Sequence, residues 1–237
     1  MKIAVLGTGA VGQTMAEKLS RLGHEVFMGT RNVENAREKL EPDAMGVPGV
    51  GVWIRNHSEI QLLTFREAVE KAESLIVFAM NGIAALGVLQ EVGAENLNGK
   101  TLLDISNPLD FSKGFPPTLS MCNTESLGEK IQENFPQLKV VKGLNTVSFH
   151  LMANPGLLEG DHLLFICGND QDAKSEIREL LVNFGWESRN IVDMGDISAA
   201  RGTEMLMPLY LRLLGKFQTP LFNFSISRAK PSAAAGI

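Results

Sequence analysis

The residues best suited to chemistry stand at the start of the chain. Gly7-Thr8-Gly9-Ala10-Val11-Gly12 has GxGxxG spacing. It follows a short apolar run, Ile3–Leu6, and opens a stretch, Val11–Leu22, in which Val11, Met15, Leu19 and Leu22 recur at helical spacing. In that context the pattern reads as a dinucleotide-phosphate loop. Gly7 permits a tight turn, Gly9 lets backbone N–H groups approach a pyrophosphate, and Gly12 lets the helix pack on the strand. Thr8, Ala10 and Val11 share the loop, and the helix N-terminus adds free N–H donors and partial positive charge.

The end of the next strand, Glu25–Met28, selects among dinucleotides. An acidic residue there reads a ribose 2′-hydroxyl. This chain has Gly29-Thr30-Arg31-Asn32 instead. Thr30 offers a hydroxyl, and Arg31 a guanidinium fork that suits a 2′-phosphate, so NADP(H) is the expected cofactor. The remaining candidates lie just past later strands, where doubly wound sheets bind ligands. They are Ala79-Met80-Asn81, then Asn107 in Ser106-Asn107-Pro108, then Asn145 and Thr146 in Gly143-Leu144-Asn145-Thr146. Asn and Ser at such places also cap helices, and that reading stays open for each.

Acid–base chemistry is thinly represented. No Tyr-x-x-x-Lys or Ser-x-x-x-Lys pair of the carbonyl-reductase kind occurs, and the single tyrosine, Tyr210, falls inside a terminal helical stretch. His150 reads as a capping or packing histidine before a general acid. Lys142 reads as a surface cation at a strand end before a cleft residue. No His/Cys/Asp/Glu group has metal-ligand spacing.

Elements that would hold these residues alternate along the chain. Strands are expected at Ile3–Leu6, Glu25–Met28, Gln61–Thr64, Leu75–Met80, Thr101–Ile105, Leu138–Lys142, Leu163–Cys167 and Asn190–Val192. Helices are expected at Val11–Leu22, Val33–Leu40, Phe65–Ala72 and Asp172–Phe184. The fold class is therefore α/β, a Rossmann-type doubly wound, mostly parallel sheet with a C-terminal helical appendage. Residues 1–195 form the NADP-binding domain. Residues 196–237 form a helical segment and tail that close the acceptor cleft, with Met207 and Pro208 in its apolar wall. This apolar helix, Ile197–Gly215, is also the candidate homodimer interface, and the tail Lys230–Ile237 is expected to fray. Glu41–Glu59 and Pro108–Thr124, rich in Gly and Pro, interrupt the rhythm as long loops.

Composition narrows the partners. A net charge of −5 and a pI near 5.5 argue against nucleic acid or anionic membrane as a partner. No apolar run reaches the roughly 18 residues of a membrane span. Two cysteines outside any CxxC pattern, Cys122 and Cys167, suit a reduced cytoplasmic protein with free thiols.

Taken together, Gly7–Gly12, Gly29-Thr30-Arg31, Asp104–Pro108, Val140–Thr146 and Phe165–Asp170 resemble the NADPH-dependent deazaflavin coenzyme reductases. They are at least as similar to the cytosolic oxidoreductase domain of the STEAP metalloreductases. The resemblance runs from Met1 to about Phe224. It implies an oxidoreductase in which NADPH exchanges hydride with a flavin-like ring (FAD, FMN or deazaflavin) lying against the nicotinamide; the convergence of polar strand ends makes Asn107, Asn145 and Thr146 the expected polar wall of that ring. Two other readings stay open. One is a reductase of small carbonyls or imines, using His150 or Lys142 as proton donor. The other is a non-catalytic NADP-binding sensor.

Overall fold

Alternate residues of the first strand, β1 (Lys2–Leu6), serve opposite faces of the sheet. Ile3 and Val5 join one apolar cluster, and Ala4 and Leu6 another. A strand buried on both faces needs helices on both. The computed structural model, which describes residues 1–229, supplies them. One face is covered by α1 (Ala10–Arg21), α2 (Val33–Arg37), α3 (Val50–Arg55), α8 (Phe149–Ala153) and α9 (Gln171–Phe184). The other is covered by α4 (Phe65–Lys71), α5 (Ala85–Val92), α6 (Ala94–Leu97), α7 (Leu127–Asn134) and α10 (Ala200–Met205). Between them lie β2 (Glu25–Thr30), β3 (Gln61–Thr64), β4 (Leu75–Phe78), β5 (Thr101–Asp104), β8 (Lys139–Gly143), β9 (Leu164–Gly168) and β10 (Ile191–Asp193). The eight-stranded order is β3-β2-β1-β4-β5-β8-β9-β10.

Through β8 every pairing is parallel; β9 is antiparallel to β8, and β10 is parallel to β9. The chain therefore leaves β10 heading away from the edge where β1 to β8 end. Helix α10 carries it back, and α11 (Met207–Phe217) follows. The expected single helix over Ile197–Gly215 is divided at Leu206, where Pro208 in the first turn of α11 lacks an N–H to continue the ladder.

Both expected loops contain regular structure. Within Glu41–Glu59, Val50, Trp53 and Ile54 bury one face of α3 in the core. The neck of this insertion is tight. Gly51 N–H donates to Lys39 O at 2.9 Å, a Cβ on Gly51 would strike the Arg37 carbonyl, and α2 ends at Arg37, short of the expected Leu40. Within Pro108–Thr124, β6 (Leu109–Asp110) and β7 (Thr118–Leu119) form an antiparallel ladder. Leu109 and Leu119 pack with Met207, Tyr210 and Leu211 of α11 in a third, small cluster. The expected fraying of Lys230–Ile237 lies outside the described residues.

Both cysteines are free thiols. Burial pushes the Cys167 thiol up to about 12, whereas Cys122 is exposed. Thiol titration should count one reactive cysteine in the native protein and both after denaturation. Two rapid equivalents under native conditions would contradict this placement.

Candidate functional site

The glycine loop is built as its sequence implies. Gly7 has φ +126°, a backbone conformation that L side chains rarely adopt, and a Cβ there would strike the Ala79 carbonyl. A Cβ on Gly12 would strike the Gly7 carbonyl. Gly9 differs: a Cβ on it would meet nothing within 4 Å. Gly7 and Gly12 serve the fold, and Gly9 leaves open the space over the N-terminus of α1. Gly7 N–H donates to Gly29 O at 3.1 Å, and Ala79 N–H to Leu6 O at 2.9 Å, so the ends of β1, β2 and β4 converge on the loop.

Thr30 is buried at the end of β2, and Arg31 beside it is exposed, with no hydrogen bond or ion pair among the described residues. Asn81 takes the capping role that remained open for it, and Asn32 caps α2. The Asn32 side chain accepts from Asn35 N–H at 2.8 Å, and Asn81 accepts from Ile83 N–H at 3.0 Å.

At the next strand ends the structure joins two of the predicted residues. Asn107 Nδ2 donates to the Asn145 carbonyl at 2.8 Å, and Asn145 Nδ2 donates to Asn107 Oδ1 at 3.0 Å. Gly82 N–H donates to Asn107 O at 3.1 Å, which ties in the segment after β4. Leu144, fully buried, sits at φ 62°, a strained conformation for a leucine, immediately before Asn145 and Thr146. Asn145 Oδ1 and Thr146 Oγ1 are buried without a hydrogen-bond partner. Unmet buried polar atoms are costly, and two adjacent ones at this edge of the sheet fit a polar ligand group.

Lys142 is neither at the surface nor in the cleft. Its ammonium is fully buried, 2.8 Å from Asp104 Oδ2, 2.8 Å from Glu204 Oε1 and 2.6 Å from the Ser106 carbonyl. Glu204 also accepts from Leu127 N–H at 2.9 Å and Gly128 N–H at 3.1 Å, at the N-terminus of α7. Burial alone would lower the Lys142 pKa, but Asp104 and Glu204 outweigh it and hold it above the ordinary lysine value. The stability it contributes is therefore complete below that ordinary value and is lost only as pH rises through the raised one. The network locks α10 to the ends of β5 and β8. Glu204 carried no signal in the sequence, because its partners lie far away along the chain.

The terminal helix contributes differently from expectation. Met207 is buried in the α11 cluster, and Pro208 is exposed. A cavity of about 780 Å³ lies between α1, α3, α8 and the 45–48 segment, and its α11-side wall is made by Leu214 and Pro220. Asn107, Asn145, Thr146, Met207 and Pro208 do not line it. His150, exposed and tilted against Phe149 with ring centroids 4.0 Å apart, does. Gln13, buried in α1, links this region to the glycine loop. Its Nε2 donates to Thr8 O at 3.0 Å and to Pro48 O at 2.9 Å. Among the described residues no group of His, Cys, Asp and Glu could hold a metal ion, and no helix is long and apolar enough to cross a membrane.

Comparison with known proteins gives this geometry a family. The model of "NADP oxidoreductase coenzyme F420-dependent" matches residues 2–108. A crystal structure from Arthrobacter sp. FB24, provisionally described as an F420-dependent NADP reductase, is 48% identical. It superposes with a TM-score of 0.89 over 96% of this chain and 100% of that one. The chain belongs to the F420-dependent NADP oxidoreductase family. The F420-dependent NADP reductase of Methanothermobacter marburgensis is 26% identical over 90% of this chain and 92% of its own length. Metalloreductase STEAP3 of Rattus norvegicus is 27% identical over 92% of this chain, which spans only 38% of that protein.

Proposed function

We propose that this protein is an NADP(H)-dependent oxidoreductase that moves hydride between NADP(H) and a flavin or deazaflavin ring. The observation that carries the reading is that Asn145 Oδ1 and Thr146 Oγ1, two of the three buried side-chain atoms without a hydrogen-bond partner among the described residues (the third is Ser148 Oγ), lie at the same edge of the sheet as the open space over Gly9. NADPH supplies the hydride, and the ring that receives it is a redox cofactor in its own right. The chain's task is then to bind, orient and exclude water. Backbone N–H groups of Thr8 to Gly12 would hold the phosphates, and Thr30 with Arg31 the 2′-phosphate. Ala79, Met80 and Asn81 would line the middle of the cofactor. Asn107, held by Asn145, would set the polar wall at the reacting end together with Asn145 and Thr146. Residues from 196 onward would close the apolar side against water, with Leu214 and Pro220 rather than Met207 and Pro208 on the cavity.

Two measurements test this reading. NADP(H) should bind about ten-fold or more tightly than NAD(H), and Arg31→Ala should remove that preference, because only the phosphate rewards a guanidinium fork. Equal affinities in the wild type would sink the cofactor assignment. Thr146→Val should lower flavin-dependent NADPH oxidation about ten-fold or more while NADPH affinity changes less, since it disturbs positioning near the reacting carbon. Unchanged turnover would remove Thr146 from the site.

We also infer a homodimer through α11. One face of that helix is buried on the β6–β7 ladder, yet Leu209 and Phe217 remain half exposed. Sedimentation of the wild type and Leu209→Asp should show a dimer and a monomer respectively. Free Cys122 and Cys167 support a reducing, cytoplasmic setting, and the net charge of −5 favours a small molecule over nucleic acid or anionic membrane as partner.

A further inference from the structure

Ser106, next to Asn107, is held from three sides. Its N–H and its hydroxyl both donate to Asp104 Oδ1, the N–H at 2.9 Å, and its carbonyl accepts from Lys142 Nζ at 2.6 Å. Asp104 and Lys142 are register partners on the parallel pair β5–β8, so their ion pair is the last rung between these strands. Three residues beyond each partner, Asn107 and Asn145 make the next cross-link. The Lys142 ammonium has three protons to donate, and Asp104, Glu204 and the Ser106 carbonyl take all of them. None is left over for chemistry. Instead the ammonium is fixed in orientation, and both strand ends are fixed with it.

Stability alone does not account for this arrangement. Apolar residues of similar volume would hold the same elements together as well or better, because an ammonium and two carboxylates leave water at high cost. The strand ends that the network grips are themselves unfavourable. Leu144 sits at φ 62°, and Asn145 Oδ1 and Thr146 Oγ1 are buried without partners. Strained and unsatisfied groups persist where the surroundings over-determine them, and they cluster where placement matters to function.

We propose that Lys142, Asp104 and Glu204 are positioning residues for the reacting end of the site. Through Ser106 they set Asn107 and Asn145, and so the angle at which a nicotinamide lies. Their side chains, at 0–2% exposure, meet no ligand themselves. The inference rests on the NADP(H) reading above and deepens it. Glu204 ties in the C-terminal segment. It comes from α10 and also accepts from Leu127 and Gly128 N–H, so that segment docks on the same ammonium that places the Asn pair.

The test compares the wild type, Lys142→Met, and a triple variant that adds Asp104→Asn and Glu204→Gln and so leaves no charge unpaired. The fragment 2′,5′-ADP, which lacks the nicotinamide, should bind all three within about two-fold, since its site is remote from the network. The fluorescence lifetime of bound NADPH should shorten toward that of free NADPH in both variants, because the reduced ring is no longer held. Single-turnover oxidation of bound NADPH by FMN or 5-deazariboflavin should slow about ten-fold or more in both. The triple variant should regain thermal stability without regaining lifetime or rate, a separation that a purely structural role would not produce. Recovery of lifetime and rate in step with melting temperature would overturn the proposal. So would folded variants with wild-type lifetime and rate, or a loss of 2′,5′-ADP binding as large as the loss of rate. The triple variant keeps the test decisive if Lys142→Met does not fold. A wild type that binds NADPH but passes hydride to neither flavin would defeat the reductase reading, and the lifetimes would still decide the role of the network.

Discussion

Gly9→Val is expected to fold normally and to lose dinucleotide binding. The backbone at Gly9 is extended (φ −82°, ψ −170°), which valine adopts readily, and its added carbons would enter space that no protein atom occupies. That space is where a pyrophosphate must sit to reach the N–H groups opening α1. Binding should be undetectable up to about 1 mM ligand, a loss of about 4 kcal/mol for a cofactor otherwise held near 1 μM. Gly12→Ala provides the contrast, because its Cβ would strike the Gly7 carbonyl and force α1 away from β1. Circular dichroism with NADPH titration separates the two outcomes. A folded Gly9→Val protein that still binds NADPH would place the phosphates elsewhere.

The second large effect is expected at Lys142. Lys142→Met strands Asp104 and Glu204, two buried carboxylates, without their shared cation. Breaking a buried ion pair from one side costs about 3–5 kcal/mol, or about 6–20 °C in melting temperature for a domain of this size. Adding Asp104→Asn and Glu204→Gln to Lys142→Met should recover much of that loss, since the network then carries no uncompensated charge. Thermal and urea unfolding of both proteins would decide. A Lys142→Met protein as stable as the wild type would mean that the ammonium is dispensable where it lies.

The sequence disclosed most of what depends on local pattern. The order of strand, glycine turn and helix from Lys2 to Arg21 follows from spacing alone, as do the polar residues beyond β5 and β8. What it concealed depends on distance. Lys142 has the composition of a surface residue, and only the fold brings Asp104 and Glu204 to it. Trp53 stood in a stretch rich in Gly and Pro that suggested a loop, although Val50, Trp53 and Ile54 already carried helical spacing. The breaker residues Gly49 and Gly51 turned out to relieve contact with passing backbone, the carbonyls of Lys39 and Arg37. Met207 and Pro208 were placed on the cleft by their apolar character. The α11 cluster instead claims Met207, and Leu214 and Pro220 line the cavity.

The reversal of direction at β9 also bears on how the protein is made. Translation releases the N-terminal part first, at about 5–20 residues per second, and that part can begin to fold before the rest appears. The glycine loop, Thr30, Arg31 and the Asn107–Asn145 pair all precede residue 150, whereas Glu204, Leu214 and Pro220 emerge at the end. A nascent chain would thus acquire the residues proposed to hold a nucleotide seconds before the C-terminal residues proposed to shield it from water. Docking of Glu204 against Lys142 and the first N–H groups of α7 marks the close of that interval. A chain cut short before this residue would present the Asn107–Asn145 edge without the segment proposed to cover it.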